Sequence, residues 1–176
     1  MSLHKNTFVG IDPGITGGIS VLNSDGSICL LRRFNGRRVP EVLLEVFDSL
    51  ELTTATVAME RVHARPGQGV VSMFTFGTGY GVIQGWLEAK CIKFELYTPQ
   101  SWQRSLPICS TPKDRVKKWA LKVYTEVPFI FAGCRVIHQG VMDATAIANY
   151  HLCLLKGQLP QPKNRTVRKR LPEMKF

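Results

Sequence analysis

The stretch TFVGIDPGITGGISVLN, residues 7–23, decides the fold of this 176-residue chain. Apolar and β-branched residues dominate Thr7–Asp12 and Gly18–Asn23, and Pro and Gly fill the turn between them, which predicts two antiparallel strands. A second turn leads into a third predicted strand over residues 27–34. The chain therefore opens with a three-stranded meander, and the first strand of this meander ends on a carboxylate, Asp12.

Helices and strands alternate after the meander. Apolar residues at helical spacing predict helices, and short apolar, β-branched runs predict strands. The order predicts an α/β fold with a mixed central sheet, an antiparallel meander plus parallel strands, flanked by helices. The predicted strands cover 54–59 and 92–97, a short segment spans 101–106, and the predicted helices cover 39–50, 70–89, a stretch from 112 onward and a last helix ending near 156–157.

The predicted helix over 70–89 carries Gly77, Gly81 and Gly85 at i, i+4 spacing on one face. Such a stripe lets another backbone approach closely. Two interpretations stay open from spacing alone: the stripe packs on the sheet of its own domain, or it meets a second subunit.

Length and composition predict one domain over residues 1–157 and a tail over 158–176. The hydrophobic share of 44% is ordinary for a packed core. The tail is rich in Lys, Arg and Pro, which predicts a mobile basic arm. The five cysteines are scattered and never spaced as C-x-x-C, so we expect reduced side chains and neither a disulfide framework nor a zinc site.

The charge balance indicates a polyanionic partner. Lys and Arg number 23 against 13 Asp and Glu, which gives a formal net charge of +10. Nucleic acid suits such a charge, because each neutralised phosphate releases condensed counterions. Polar residues interrupt the longest apolar stretch, and the N-terminus lacks the apolar segment of a signal peptide, so neither a membrane span nor secretion is predicted. We expect a cytoplasmic or nucleoid-associated protein.

Three acids resist explanation as surface residues. Asp12 and Glu60 end apolar strands, and Asp143 falls in the first turn of a largely apolar helix. A carboxylate at such a position costs roughly several kcal/mol unless it is paired or bound to a metal. Salt bridges to Arg61 or Arg135 are the ordinary alternative. Carboxylate oxygens suit Mg²⁺ or Mn²⁺, and two such ions about 4 Å apart can drive phosphodiester hydrolysis.

Several segments resemble the motifs of RuvC-type Holliday junction resolvases, which belong to the RNase H-like superfamily. Order and spacing agree from about residue 7 to 155. Actin-like kinases share the opening G-I-D-x-G, but they need about twice this length and a second phosphate loop, which the sequence lacks. The matching segments are VGIDPGITGG at 9–18, AMERV at 58–62, FELYTP at 94–99, PKDRV at 112–116 and DATAIA at 143–148.

The resemblance implies an RNase H-like fold and a nuclease that binds two Mg²⁺ or Mn²⁺ ions. In that family Asp12 would bridge the metals, while Glu60 and Asp143 would complete the cluster. It further implies a homodimer that resolves four-way DNA junctions by symmetric nicks, leaving 5′-phosphate and 3′-hydroxyl ends. The source, whether bacterial, phage or organellar, stays open.

The chain departs from the family at two positions near these acids. Relatives commonly carry a fourth acid or a His where this chain has Gly140. His138 and Gln139 are the nearby candidates, and His138 could ligate a metal or orient the attacking water. A structural histidine is the alternative. In the loop after Glu60, His63 stands where relatives place an aromatic residue that stacks on a junction base.

Basic residues around the predicted site are expected to contact DNA. Lys113 falls on the family's lysine near the scissile region, although an exposed helix-start lysine is the ordinary alternative. Two other functions stay open: an RNase H-like nuclease on RNA–DNA hybrid or flap substrates, and a non-catalytic branched-DNA-binding module. The predicted DNA-binding set is Arg61, His63, Arg65, Lys113, Arg115, Lys117 and Lys118, with Arg32, Arg33, Arg37, Arg38 and the tail adding sequence-independent attraction.

Overall fold

A computed structural model of the protein describes residues 6–34, 38–51, 54–63, 67–108, 111–159 and 166–168. Six strands form one mixed sheet in the order β3-β2-β1-β4-β5-β6, with β1 parallel to β4 and β4 parallel to β5, and the other pairs antiparallel. The strands are β1 (Thr7–Asp12), β2 (Gly18–Asn23), β3 (Ile28–Arg33), β4 (Ala55–Glu60), β5 (Phe94–Tyr97) and β6 (Thr166–Arg168). The predicted mixed α/β sheet is confirmed.

Five described helices flank this sheet, and none of them is long and apolar enough to span a membrane. Because side chains alternate along a strand, Val9 and Ile11 of β1 pack with the first two helices, whereas Phe8 packs on the opposite face against the last helix. The helices are α1 (Val39–Asp48), α2 (Val70–Ala89), α3 (Pro99–Arg104), α4 (Pro112–Val123) and α5 (Gln139–Leu155).

Helix α5 crosses the sheet at very short range because Gly10 of β1 has no side chain. A Cβ built at Gly10 would lie 2.1 Å from the carbonyl oxygen of Ala144 and 2.5 Å from the amide nitrogen of Ala148. Real Cβ atoms essentially never approach so closely, so any larger residue would displace the helix. The contact fixes the position of α5 above the end of β1.

Helix α2 differs, because several of its large apolar side chains are exposed in the described part of the chain. Only Ile83 and Leu87 are buried, while Val70, Val71 and Phe74 are each more than three-quarters exposed, at 84%, 79% and 78%. A Cβ built on any of the glycines of the stripe (Gly77, Gly81 and Gly85) would meet no described atom within 4 Å. The interpretation that this stripe packs on the domain's own sheet is therefore wrong for the described residues.

Element boundaries differ from the predicted ones where local chemistry decides them. Helix α3 begins at Pro99, because Thr98 caps it and accepts a hydrogen bond from the amide of Ser101. Helix α5 begins at Gln139, so Asp143 lies in its second turn and not in the first. Four cysteines are free, as expected, and Cys109 lies outside the described residues.

The predicted tail contains an unexpected strand. Thr166–Arg168 pairs antiparallel with β5, with Glu95 opposite Val167. The rest of the tail beyond Leu159 lies outside the described residues, so the mobility of the basic arm stays a prediction.

Candidate active site

Asp12 and Glu60 occupy the same edge of the sheet. They are the last residues of β1 and β4, and the parallel register pairs Ile11 with Met59, the residues just before them. Neighbouring strands lie about 4.8 Å apart, and residues at equivalent positions point to the same face. Glu60 shares the face of Ala58, which packs with α5, so both carboxylates lie on the α5 side of the sheet.

Helix α5 brings the third acid to this edge through a second glycine contact. A Cβ at Gly140 would lie 2.3 Å from the carbonyl oxygen of Thr16 and 2.8 Å from Oδ2 of Asp12. The first turn of α5 is therefore pressed against the turn that follows β1. Asp143 lies three residues further along this helix.

The three acids interact electrostatically. Burial, then the charge of Asp143, then the charge of Glu60 raise the pKa of Asp12 well above its usual range, against a smaller lowering by the amide of Gly14. Burial also raises the pKa of Asp143 to about 6. Like charges brought together out of water oppose ionisation and create a strong negative potential. Such a site favours a bound cation.

Hydrogen bonds orient two of these carboxylates. The amide of Gly14 donates to Oδ1 of Asp12 at 3.2 Å, and Nε2 of Gln139 donates to Oδ1 of Asp143 at 3.0 Å. The second bond joins residues one helical turn apart and opposes the upward shift of the Asp143 pKa. The sequence names Gln139 as a candidate near Gly140 but not as a partner of Asp143, although the i, i+4 Gln–Asp spacing on a helix indicates such a hydrogen bond.

The described side chains are not arranged at metal-coordination distances. Within the described residues, no group of three His, Cys, Asp or Glu side chains is close enough to share one ion. His138 lies just before α5, where its ring packs edge-on against Phe131, 5.6 Å between ring centroids. Burial and the charge of Arg33 lower its pKa. None of these contacts is to a carboxylate, so a ligand role for His138 stays a prediction.

The absence of a side chain at Gly140, where the resemblance predicts an acid or a histidine, has a steric explanation. A Cβ at Gly140 collides with backbone atoms of Thr16 and Gly17, at 2.3 and 2.6 Å. No side chain fits there unless the turn or the helix moves. The close approach of α5 therefore excludes any side-chain ligand at position 140 in this arrangement.

The predicted DNA-binding residues lie in two places and partly outside the described chain. Arg61 and His63 follow β4, are exposed, and line a small cavity of about 110 Å³ with Phe76 and Pro99. Arg115 of α4 donates to the carbonyl oxygen of Gln103 at 3.4 Å, and Lys117 and Lys118 are exposed on α4. The side chain of Lys113 and all of Arg65 and Arg37 fall outside what the structure describes.

Comparison with known proteins identifies the architecture. Across 86% of this chain and 96% of the other, the structure matches Thermus thermophilus RuvC in complex with a Holliday junction substrate, with a TM-score of 0.61 and 18% identity. A second Thermus thermophilus RuvC structure matches over the same shares, with a TM-score of 0.54 and 21% identity. The chain has a RuvC-type fold. The predicted resemblance is thus confirmed for the fold.

Sequence comparisons give no match that would support the RuvC-type fold independently. No protein-family model matches the chain, and no curated protein matches it. At these identities the likeness concerns backbone architecture. The chemistry of the site must therefore be argued from the side chains themselves.

Proposed function

We propose that this protein is a Mg²⁺- or Mn²⁺-dependent endonuclease that resolves four-way DNA junctions by paired, symmetric nicks. The observation that carries the proposal is the electrostatic coupling of Asp12 to Glu60 and Asp143 at one edge of a RuvC-type sheet. A cluster of partly buried acids destabilises the protein by itself. Its retention is explained if cations bind there.

The donor chemistry fits the implied metals. Hard divalent cations prefer carboxylate oxygens, and the three acids supply these from β1, β4 and α5. Since the described side chains do not converge at ligand distances, we assign Asp12, Glu60 and Asp143 as ligands without a coordination geometry. When bound, two ions would activate a water and stabilise the leaving 3′ oxygen, so that 5′-phosphate and 3′-hydroxyl ends result.

The chain's own groups orient the acids. The Gly14 amide holds one oxygen of Asp12, and the Gln139 amide holds one oxygen of Asp143, which leaves the other oxygen of each carboxylate for a cation. The glycine contacts of α5 keep these groups at a fixed spacing. These contacts would contribute to the preorganisation that a phosphoryl-transfer site requires.

Branched DNA is the proposed substrate for two reasons. One structural neighbour is a RuvC bound to a Holliday junction, and the net charge of +10 suits a polyanion. We assign the DNA contacts to residues on both sides of the acids, with His63 available to stack on a base. These residues are Arg61, His63, Arg65, Lys113, Arg115, Lys117 and Lys118.

We further propose that the enzyme is a homodimer formed through α2. Glycine inside an exposed helix costs about 0.5–1 kcal/mol relative to alanine, so three open glycines need a compensating contact. The exposed Val70, Val71 and Phe74 on the same helix would otherwise remain in water. A second copy of α2 would cover both features and provide two active sites for two opposed strands.

The decisive experiment is cleavage of a labelled synthetic four-way junction with Mg²⁺ and with Mn²⁺. We expect wild type to cut two opposed strands and Asp12→Asn to lose at least about 10³-fold in rate. Asp48→Asn, a matched change at an exposed acid on α1, should cut normally. Equal rates for wild type and Asp12→Asn would overturn the site. Faster cutting of an RNA–DNA hybrid or a flap than of the junction would identify that nucleic acid as the substrate instead. Tight binding of the junction without cutting in either metal would indicate a non-catalytic DNA-binding module.

Sedimentation tests the dimer. Wild type should sediment as a dimer and Phe74→Arg as a monomer, because the new charge would be buried in the interface. Leu121→Arg places the same charge on an exposed position of α4 and should leave the dimer intact. A wild-type monomer at working concentration would contradict this assignment.

A further inference from the structure

A groove at the outer edge of the sheet is lined by three arginines that have no role in the proposed function. It encloses about 350 Å³ between the end of β3, the start of α1 and the loop before α5. We call it the arginine groove. Its lining residues are Arg32, Arg33, Arg38, Glu41, Val42, Glu45, Phe131 and Ala132.

The charge of the groove is only partly compensated. Nε of Arg32 contacts Oε1 of Glu45 at 2.7 Å, and Nε of Arg38 contacts Oε2 of Glu41 at 2.5 Å. Arg33 makes no ion pair among the described residues; its Nη1 donates to Sγ of Cys134 at 2.7 Å. Since each guanidinium has five N–H donors, donors remain on all three arginines for an anion.

The end of β3, which lines the arginine groove, lies at the same end of the sheet as the acids. Arg33 pairs with Gly18, and Gly18 pairs with Asp12, so Arg33 lies two strands from Asp12, about 10 Å away. The amide of Phe34 donates to the carbonyl oxygen of Gly17, which joins the end of β3 to the turn after Asp12. Arg61 and His63 lie on the opposite, β4 side. Helix α1 packs on the sheet face opposite to α5, so the groove lies around the outer edge of β3 as seen from the acids. A DNA arm that leaves the acids on the β3 side would reach it.

We propose that the arginine groove binds the sugar–phosphate backbone of the DNA arm that flanks the cleaved strand. This inference rests on the proposed function. Guanidinium groups match phosphate oxygens in a planar fork, and Phe131 and Val42 offer apolar contact for deoxyribose. Glu41 and Glu45 hold two of the arginines in place, and they lower the affinity for phosphate by competing for the same donors.

Because the glutamates compete with DNA for the arginines, removing an arginine and removing a glutamate should change the DNA affinity in opposite directions. Binding of a fluorescent four-way junction is measured by anisotropy in EDTA, which prevents cleavage, over a range of salt concentrations. Arg33→Gln and Arg38→Gln should each weaken binding about three- to tenfold and reduce the salt slope by about one. Glu45→Gln should tighten binding, because it releases Arg32. Arg33→Lys keeps the charge but loses the planar fork, so it should weaken binding less than Arg33→Gln does.

Lys93→Gln is the matched control. Lys93 is exposed just before the start of β5, at the end of the strands opposite to the acids, and the change removes the same charge. It should alter binding less than about twofold. Arginine variants that bind like Lys93→Gln, or a Glu45→Gln variant that binds more weakly than wild type, would overturn the groove as a DNA site.

The binding experiment on the arginine groove can fail independently of the cleavage experiment on the proposed nuclease. If wild type cuts junctions but the arginine variants bind like Lys93→Gln, only the arginine groove is wrong. If wild type never cuts but the variants show the expected opposite effects, the groove stands and the catalytic proposal fails. Thermal melting of each variant verifies the fold.

Discussion

Helices α5 and α2 have similar compositions but opposite environments. Each is long and mostly apolar and carries one acid, Asp143 or Glu88. Helix α5 buries twelve of its residues, whereas α2 buries two. Both contain glycines, but a Cβ built at Gly140 of α5 would meet backbone atoms at under 3 Å, whereas one built on the glycines of α2 would meet no described atom within 4 Å. The difference teaches that α5 completes the fold and the site within one chain, whereas α2 presents a surface to something outside it.

The largest effect that tests this contrast is expected from Gly140→Ala in α5. The added methyl would lie 2.3 Å from the Thr16 carbonyl oxygen, so α5 must shift and Asp143 with it. Overpacking of this kind costs about 1–3 kcal/mol, and a misplacement of about 1 Å can cost about a hundredfold in rate. Urea unfolding and junction cleavage measure the two effects. Wild-type values for both would contradict the described packing of α5.

Gln139→Met gives a smaller effect, confined to the site. Methionine is close in size but cannot donate to Oδ1 of Asp143. Loss of a hydrogen bond to a metal ligand typically weakens metal binding about 10–100-fold. Titration calorimetry with Mn²⁺ measures this, and Gln158→Met, in the exposed segment after α5, is the control. Unchanged Mn²⁺ affinity would show that Gln139 does not position Asp143.

The pH dependence of stability follows from the raised pKa of Asp143. Its folded pKa is about 6 against 3.8 in the unfolded chain, so between these values the folded state holds more protons. Without metal, this residue therefore makes the protein less stable as pH rises from about 4 to 6. In EDTA at pH 7.5, Asp143→Asn should raise the melting temperature by about 2–4 °C for each kcal/mol that it adds to the free energy of unfolding. At pH 4 the same variant should hardly change the melting temperature. Asp48→Asn should follow wild type throughout; an equal gain for Asp143→Asn at both pH values would exclude this cause.

Local patterns predicted the meander and the acids at strand ends, because alternation and strand termination are properties of neighbouring residues. The contact of Gly10 with Ala144 joins residues far apart in the chain, so no local pattern could reveal it. The same holds for Arg33 and Cys134, separated by 101 residues. The basic run around Arg33 therefore indicated general attraction to DNA, but not a groove.

The steric exclusion at Gly140 shows what a motif comparison alone misses. The resemblance predicts a metal ligand at position 140, where this chain has glycine, and makes the nearby His138 a candidate to replace it. The structure gives the physical reason for glycine, since the backbone of Thr16 occupies the space. The ring of His138 packs edge-on against Phe131, and burial and the charge of Arg33 lower its pKa. The remaining coordination of the proposed metals is more simply supplied by water than by a fourth side chain.

The smallest effect is expected from Gly81→Ala in α2, and its sign is opposite to that of Gly140→Ala. Nothing described lies within 4 Å of the added methyl, so alanine should stabilise an isolated chain by up to about 1 kcal/mol through helix propensity. If a second α2 approaches this stripe, the same methyl should weaken the dimer. Urea unfolding at low protein concentration and sedimentation at high concentration separate the two effects. Stabilisation with an unchanged dimer would show that the stripe is not the point of close approach, whereas destabilisation of the monomer would mean that α2 packs within its own chain after all.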